Sequence, residues 1–194
     1  MHGDHKKIFG IGWAKTGTTT LGRCLELLGY SHIGQRLDLV PHLETGDLAT
    51  IVAVAAEADA FEDWPWPLVF RELDAAFPES RFVLTTRAPD RWIRSYLNML
   101  RHPAFVSDDL THVRRVLYGL PFPDVTADQL VDRYRRHNAD VIDYFRGRPH
   151  DLIVVDWESG DGWQELCRFL GRDRPDLPFP QENVGNYEPL PPGS

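Results

Sequence analysis

Residues 8–30 read IFGIGWAKTGTTTLGRCLELLGY, and the order of residue types in this stretch decides the fold. Ile8, Phe9, Ile11 and Trp13 make a short apolar run rich in β-branched and aromatic residues, as a buried strand would. Leu21, Cys24, Leu25 and Leu28 recur at helical spacing, and Gly29 is a stop. Lys15-Thr16-Gly17-Thr18-Thr19-Thr20 lies between the two, so the junction is strand, turn, helix. The first amides of a helix have no partners inside it and carry the positive end of its dipole. Small residues there let an anion approach the backbone, and phosphate suits such a site. Threonine hydroxyls add donors and Lys15 adds a full charge. A threonine run also caps a helix without binding anything, so the loop alone leaves both roles open.

The same alternation continues along the chain. SHIG (31–34), DAFED (59–63), RFVLTTR (81–87) and DLIVVDW (151–157) read as strands. Helical patterns fill 36–57, with Pro41 near a start and Gly46 as a break, then 67–77, the segment after Pro89, 127–147 and 161–171. Residues 103–125, with Pro103, Pro121 and Pro123, read as an irregular lid or substrate loop. Strands alternating with helices predict an α/β fold of three layers, a central parallel sheet flanked by helices. The expected organisation is one domain over 1–194, with a core of about 7–171 and an extended tail over 172–194. Ligands in such folds bind beyond the carboxyl ends of the strands. The 14–20 loop, Asp63, Arg87 and Trp157 all follow strands, so they are expected to converge on one edge.

A composition of 42% hydrophobic and 26% charged residues is that of a globular protein. The formal net charge of −8 argues against nucleic acid and against polyanionic acceptors, since neutralising phosphates takes a basic face. No apolar run approaches the roughly 18 residues that span a bilayer. The N-terminus, MHGDHKK, has no apolar segment of signal-peptide type, so the expected location is cytoplasmic and no membrane partner is expected. Cys24 and Cys167 read as small core residues in a reducing compartment, and no cluster suggests a metal. His102, His112 and His137 read as surface residues, and Trp64, Trp66 and Trp92 as core, with Trp64 and Trp66 also able to wall an aromatic site.

The standard nucleoside triphosphate loop needs lysine directly after its last glycine. Here Thr18 takes that place and Lys15 precedes Gly17 by two residues. This K-[ST]-G-T-[TS] arrangement resembles the phosphosulfate-binding loop of sulfotransferases that use 3′-phosphoadenosine 5′-phosphosulfate (PAPS). A second stretch, VLTTRAPDRWIRSY (83–96), carries R-x-P-x-x-W-x-x-S after a strand. It resembles the sulfotransferase pair in which an arginine at a strand end and a serine eight residues on grip the 3′-phosphate. A guanidinium fork suits a phosphate dianion and a hydroxyl completes the shell. Similarity to a short bacterial and eukaryotic sulfotransferase-like branch extends over roughly 7–186, through Phe70-Arg71-Glu72-Leu73 and W-x-E-L-C-x-F-L-G to PFP and Asn183.

The resemblance implies a P-loop-like nucleotide-binding fold and a PAPS-dependent enzyme moving a sulfuryl group to a hydroxyl or amine of a small molecule. The product would be 3′,5′-adenosine bisphosphate, and no metal is called for. It implies cofactor binding by Lys15, Thr16, Gly17, Thr18, Thr19, Thr20, Arg87 and Ser95, with Lys15 stabilising the leaving oxygen. Family members use a histidine or carboxylate as base. Asp63 is the first choice, although an aspartate before Pro65 also reads as a turn or cap; His32 is the second, and Glu62 alternates to the other side of its strand. The chain departs from many cytosolic sulfotransferases at Thr20, where they carry a tryptophan against adenine, and it lacks their R-K-G-x-x-G closing segment. Two other readings stay open. One is an ATP- or GTP-using kinase or hydrolase with Asp156 on a metal; the other is a non-catalytic nucleotide-binding or interaction protein on the same fold. Oligomeric state and acceptor are not specified by the sequence.

Overall fold

A computed structural model describes residues 6–182. Its centre is a five-stranded parallel sheet in the order β2-β3-β1-β4-β5. The strands are β1 (Ile8–Gly10), β2 (His32–Ile33), β3 (Ala60–Phe61), β4 (Arg81–Thr85) and β5 (Leu152–Val155). Strand β1 is central, with Phe9 level with Phe61 on one side and Phe82 on the other. The three rings stack across the sheet, Phe9 lying 5.2 Å from Phe61 and 5.5 Å from Phe82 between centroids. Residues alternate between faces along a strand, so this phenylalanine row defines one face and Ile8, Ala60 and Val83 the other.

Both faces are covered. The phenylalanine face packs on Ile51 of α3 (Leu48–Val54), Phe70 and Leu73 of α4 (Phe70–Ala76) and Val141 of α7 (Ala127–Tyr144). The opposite face packs on Leu21 and Leu25 of α1 (Thr18–Leu27) and on Trp163 and Leu166 of α8 (Trp163–Leu170). Cys24 and Cys167 are buried in this second layer, and burial pushes the Cys24 thiol up to about 12, as expected of inert core residues. The two helices expected within 36–57 are α2 (Val40–Thr45), with Pro41 in its first turn, and α3, parted at Gly46 with φ 72°. Asp47 caps α3 by accepting from the Thr50 amide at 3.3 Å.

Three expectations are corrected. The 103–125 segment is not irregular: it contains α6 (Asp108–Tyr118), capped by Ser107 accepting from the Leu110 amide at 3.1 Å and closed by Gly119 in the left-handed region. The framing prolines hide a helix whose own interior has none. Pro67 lies inside a 3₁₀ turn, Trp66–Leu68, and α4 starts only at Phe70. His137 is not at the surface but is buried on α7, with Nε2 donating to the Ile11 carbonyl at 2.8 Å. Burial lowers its pKa to about 4, so it stays neutral and structural near pH 7. No helix among the described residues is long and apolar enough to cross a membrane.

Beyond the carboxyl ends of the strands lies a third, aromatic cluster built on Trp13. It joins α5 (Pro89–Arg101), α6 and α7 to the segment after β1. The chain leaves β1 toward β2 and leaves β4 toward β5, so connections diverge between the ends of β1 and β4. That divergence is the topological switch point where α/β folds hold ligands.

Candidate active site

The loop after β1 is held in shape mainly through its carbonyls. The Ile11 carbonyl accepts from His137 Nε2, Trp13 from the Thr16 hydroxyl at 2.6 Å, Ala14 from Trp92 Nε1 at 3.0 Å, Lys15 from Arg87 Nη1 at 3.3 Å and Gly17 from Trp157 Nε1 at 3.2 Å. Each donor comes from a side chain, and four come from distant elements. Thr16 also bonds the Thr85 hydroxyl at 2.6 Å, tying the loop to the end of β4. Gly12 is required by that approach, since a Cβ there would collide with Thr85.

Gly17 opens α1 with φ 93° and gives its first turn no side-chain cap. Lys15 also sits at positive φ, 74°, which glycine adopts freely and lysine does not. A Cβ on Gly17 would strike the Trp157 indole, so that ring lies directly against the loop. The uncapped first turn, the loop and Lys15 face a cavity of about 700 Å³. Its walls include Lys15 to Thr20, Asp63, Arg87 and Ser95, so the structure brings together every expected binding residue and the first-choice base.

Arg87 follows β4. The Tyr134 hydroxyl brackets its backbone, accepting from the amide at 2.9 Å and donating to the carbonyl at 3.0 Å. Its guanidinium reaches Lys15 O through Nη1 and Glu158 through Nη2, while the buried Nε has no hydrogen-bond partner among the described residues. A buried donor without an acceptor is costly, and an anion in the cavity would satisfy it. Ser95 borders the same cavity from α5.

Asp63 also has positive φ, 66°. Its Oδ1 accepts from the Trp64 amide at 2.8 Å and from Gln35 at 3.5 Å; its Oδ2 accepts from Thr18 at 3.3 Å. Burial raises its pKa despite these donors and despite the Lys15 charge. That combination suits a proton acceptor, because a raised carboxylate is a stronger base.

His32 is corrected: it is outside the cavity. Strand β2 is separated from β1 by β3, and the imidazole is turned toward Glu62 Oε1 at 3.7 Å and Glu26 Oε1 at 3.4 Å. Gly22 inside α1 makes room for it, since a Cβ there would meet His32 Cε1 at 2.7 Å. Glu62 is buried behind the loop, and burial followed by the Asp63 charge raises its pKa to about 8. A carboxyl raised above its unfolded value stabilises the fold below pH 4.5 and loses that contribution as pH rises through about 8. Glu62→Gln is therefore expected to raise the melting temperature at pH 8 by several degrees while changing it little at pH 5, as measured by thermal melts at both pH values.

Sequence reasoning missed Gln35, Glu158 and Phe179, all of which border the cavity. Glu158 is adjacent to the expected Trp157, but Gln35 and Phe179 carry no local signal. The extended tail is anchored as far as it is described. The Trp163 indole donates to Leu177 O at 3.0 Å, Phe179 packs on Trp157 and Trp163, and the Glu182 amide donates to the Thr20 hydroxyl at 3.2 Å. Asn183 lies outside the described residues. Asp156 is a cap, accepting from the Glu158 amide at 3.0 Å. Trp64, Trp66 and Trp92 are core, and none of them walls the cavity. No group of three metal-ligating side chains occurs among the described residues.

Ava biosynthesis cluster protein M of Aspergillus versicolor is 27% identical over 143 residues, 64% of this chain and 54% of that protein. The chain thus spans about half the length of the curated relative it matches. A model of the sulfotransferase domain matches residues 7–187, a span that contains both the Lys15 loop and the Arg87 strand end, and the chain therefore belongs to the sulfotransferase family.

Proposed function

We propose that the chain transfers a sulfuryl group from PAPS to a hydroxyl or amine of a small-molecule acceptor. The observation that carries this reading is the convergence of the Lys15 loop, the uncapped α1 N-terminus and Arg87, with its unsatisfied Nε, on one cavity. The residues offer two sets of anion-binding groups on one cavity. Lys15, Gly17 and Thr18 to Thr20 would hold the 5′ end, and Arg87 with Ser95 the 3′-phosphate. Trp157 and Phe179, 5.0 Å apart between centroids, supply an aromatic wall that Thr20 does not, and the adenine would pack there.

Bound PAPS supplies the sulfuryl group and a leaving phosphate oxygen. Lys15 would hold that oxygen with a compact positive charge, and the α1 dipole would add to it. Asp63 takes the acceptor proton onto a carboxylate oxygen now held by Thr18 or Gln35. Met99 and Phe105 give the cavity an apolar border where the acceptor would enter. The net charge of −8 also favours a small acceptor over a polyanion.

Calorimetric titration with 3′,5′-adenosine bisphosphate, beside ADP and ATP with magnesium, tests the reading. The bisphosphate is expected to bind tightest, and Arg87→Ala to weaken it by about 10- to 100-fold, the worth of a charged hydrogen-bonded fork. Preference for ATP with magnesium would turn the assignment to a kinase or hydrolase.

A further inference from the structure

The position beside Arg87 that a phosphate would take already holds an anion. Glu158 pairs with Arg87 Nη2 through Oε1, and its Oε2 lies 3.3 Å from Arg91 Nη1. The two guanidiniums differ in setting. Arg87 is fixed, with its backbone bracketed by Tyr134 and its Nη1 on the Lys15 carbonyl. Arg91 stands in the first turn of α5 with a side chain 56% exposed. The Glu158 backbone is fixed too, in the Trp157–Ser159 turn, by its amide donating to Asp156 Oδ1. Its side chain bridges the two arginines and is the part left free to turn.

A phosphate dianion on Arg87 cannot sit beside this carboxylate without like-charge repulsion in a partly enclosed site. Loss of the carboxylate altogether would leave the Arg87 and Arg91 charges facing each other without an anion between them. One rotation resolves both conflicts: Glu158 releases Arg87 and keeps Arg91.

We propose that Glu158 is an internal anion that bridges Arg87 and Arg91 and that, when a phosphate monoester arrives, it releases Arg87 while keeping Arg91. This rests on the PAPS reading and deepens it, because the exchange makes the site selective. A ligand that brings only one weak charge to Arg87 gains nothing by replacing a carboxylate already there. A dianion gains a second charge, a third oxygen and the Arg87 Nε donor that Glu158 leaves unpaired. Glu158 thus sets a threshold that a 3′-phosphate passes and a bare ribose hydroxyl does not.

The test is calorimetry with 3′,5′-adenosine bisphosphate and with 5′-AMP on the whole chain, with circular dichroism melts showing that each variant folds. Glu158→Gln is expected to tighten the bisphosphate about tenfold and leave 5′-AMP unchanged. Arg91→Ala is expected to weaken the bisphosphate severalfold in the natural background and to have no effect in the Glu158→Gln background. Bisphosphate affinity that is unchanged or weaker in Glu158→Gln would overturn the proposal and make Glu158 a support for Arg87. Equal tightening of both nucleotides, or equal weakening by Arg91→Ala in both backgrounds, would overturn it as well. Failure of the PAPS reading looks different: neither protein binds the bisphosphate, yet inorganic phosphate binds Glu158→Gln more tightly than the natural chain. No difference with inorganic phosphate would remove the internal anion too.

Discussion

Lys15→Ala is expected to lower sulfuryl transfer by about 100- to 1000-fold while weakening 3′,5′-adenosine bisphosphate much less. That is the cost of removing one preorganised charge from a developing anion, and it falls on the transition state rather than on binding. The measurement is PAPS turnover with an acceptor the natural chain uses, set beside calorimetry on the same protein. Two further variants separate charge from backbone. Lys15→Gly removes the charge but relieves the positive φ, so it should match alanine in rate and melt no lower. Lys15→Arg keeps the charge on a broad planar head and should recover only part of the rate. Equal transfer by Lys15→Ala and the natural chain would remove Lys15 from the mechanism.

The largest loss of stability is expected from Trp13→Ala, about 3–5 kcal/mol, or a melting temperature lower by roughly 10 °C. Trp13 is fully buried, with Trp64, Tyr118 and His137 within 5.5 Å between ring centroids and Arg133 on its face at 5.5 Å. Little around it can collapse into the space. Its Nε1 has no hydrogen-bond partner among the described residues. Trp13→Phe removes that orphaned donor along with part of the ring, so the two effects oppose and the cost should stay near 1 kcal/mol. Because the Trp13 carbonyl accepts from Thr16, the alanine variant should also blunt bisphosphate binding where the phenylalanine variant does not.

Much of this architecture was readable in the sequence because it is local. The strand, loop and helix of residues 8–30 announce themselves by period and by a run of small polar residues, and Arg87 and Ser95 by their spacing after a strand. What escaped depends on the third dimension. His32 follows α1 closely in sequence, yet the chain crosses to the sheet edge before forming β2, which carries the side chain away from the loop. His137 stands in the polar run DRYRRHNAD, but Leu130, Tyr134, His137 and Val141 lie on one helical stripe, and that period was the signal for its burial. Helix α6 was masked by the prolines at its flanks. Glu62 could be placed opposite Asp63 on its strand, but nothing in one dimension tells that Thr18 approaches both carboxyls. Phe179 reaches the cavity through a tail without periodic pattern, so only coordinates reveal it.

The order of the strands also governs when a cavity can exist at all. The floor of the cavity is encoded by residues 14–20 and its aromatic wall by Trp157 and Phe179, about 140 and 160 positions later. Strand β5 reaches the rest of the sheet only through β4, so the wall is docked by pairing between residues 82–85 and 152–155. During synthesis from the N-terminus, the loop is therefore made long before the indole that its Gly17 carbonyl awaits. A nascent chain that ends before Trp157 lacks the wall altogether, and one that ends before Phe179 lacks half of it. Ligand capture in this protein is consequently a late event of chain assembly, and it reports on the closing of the longest-range contacts of the fold.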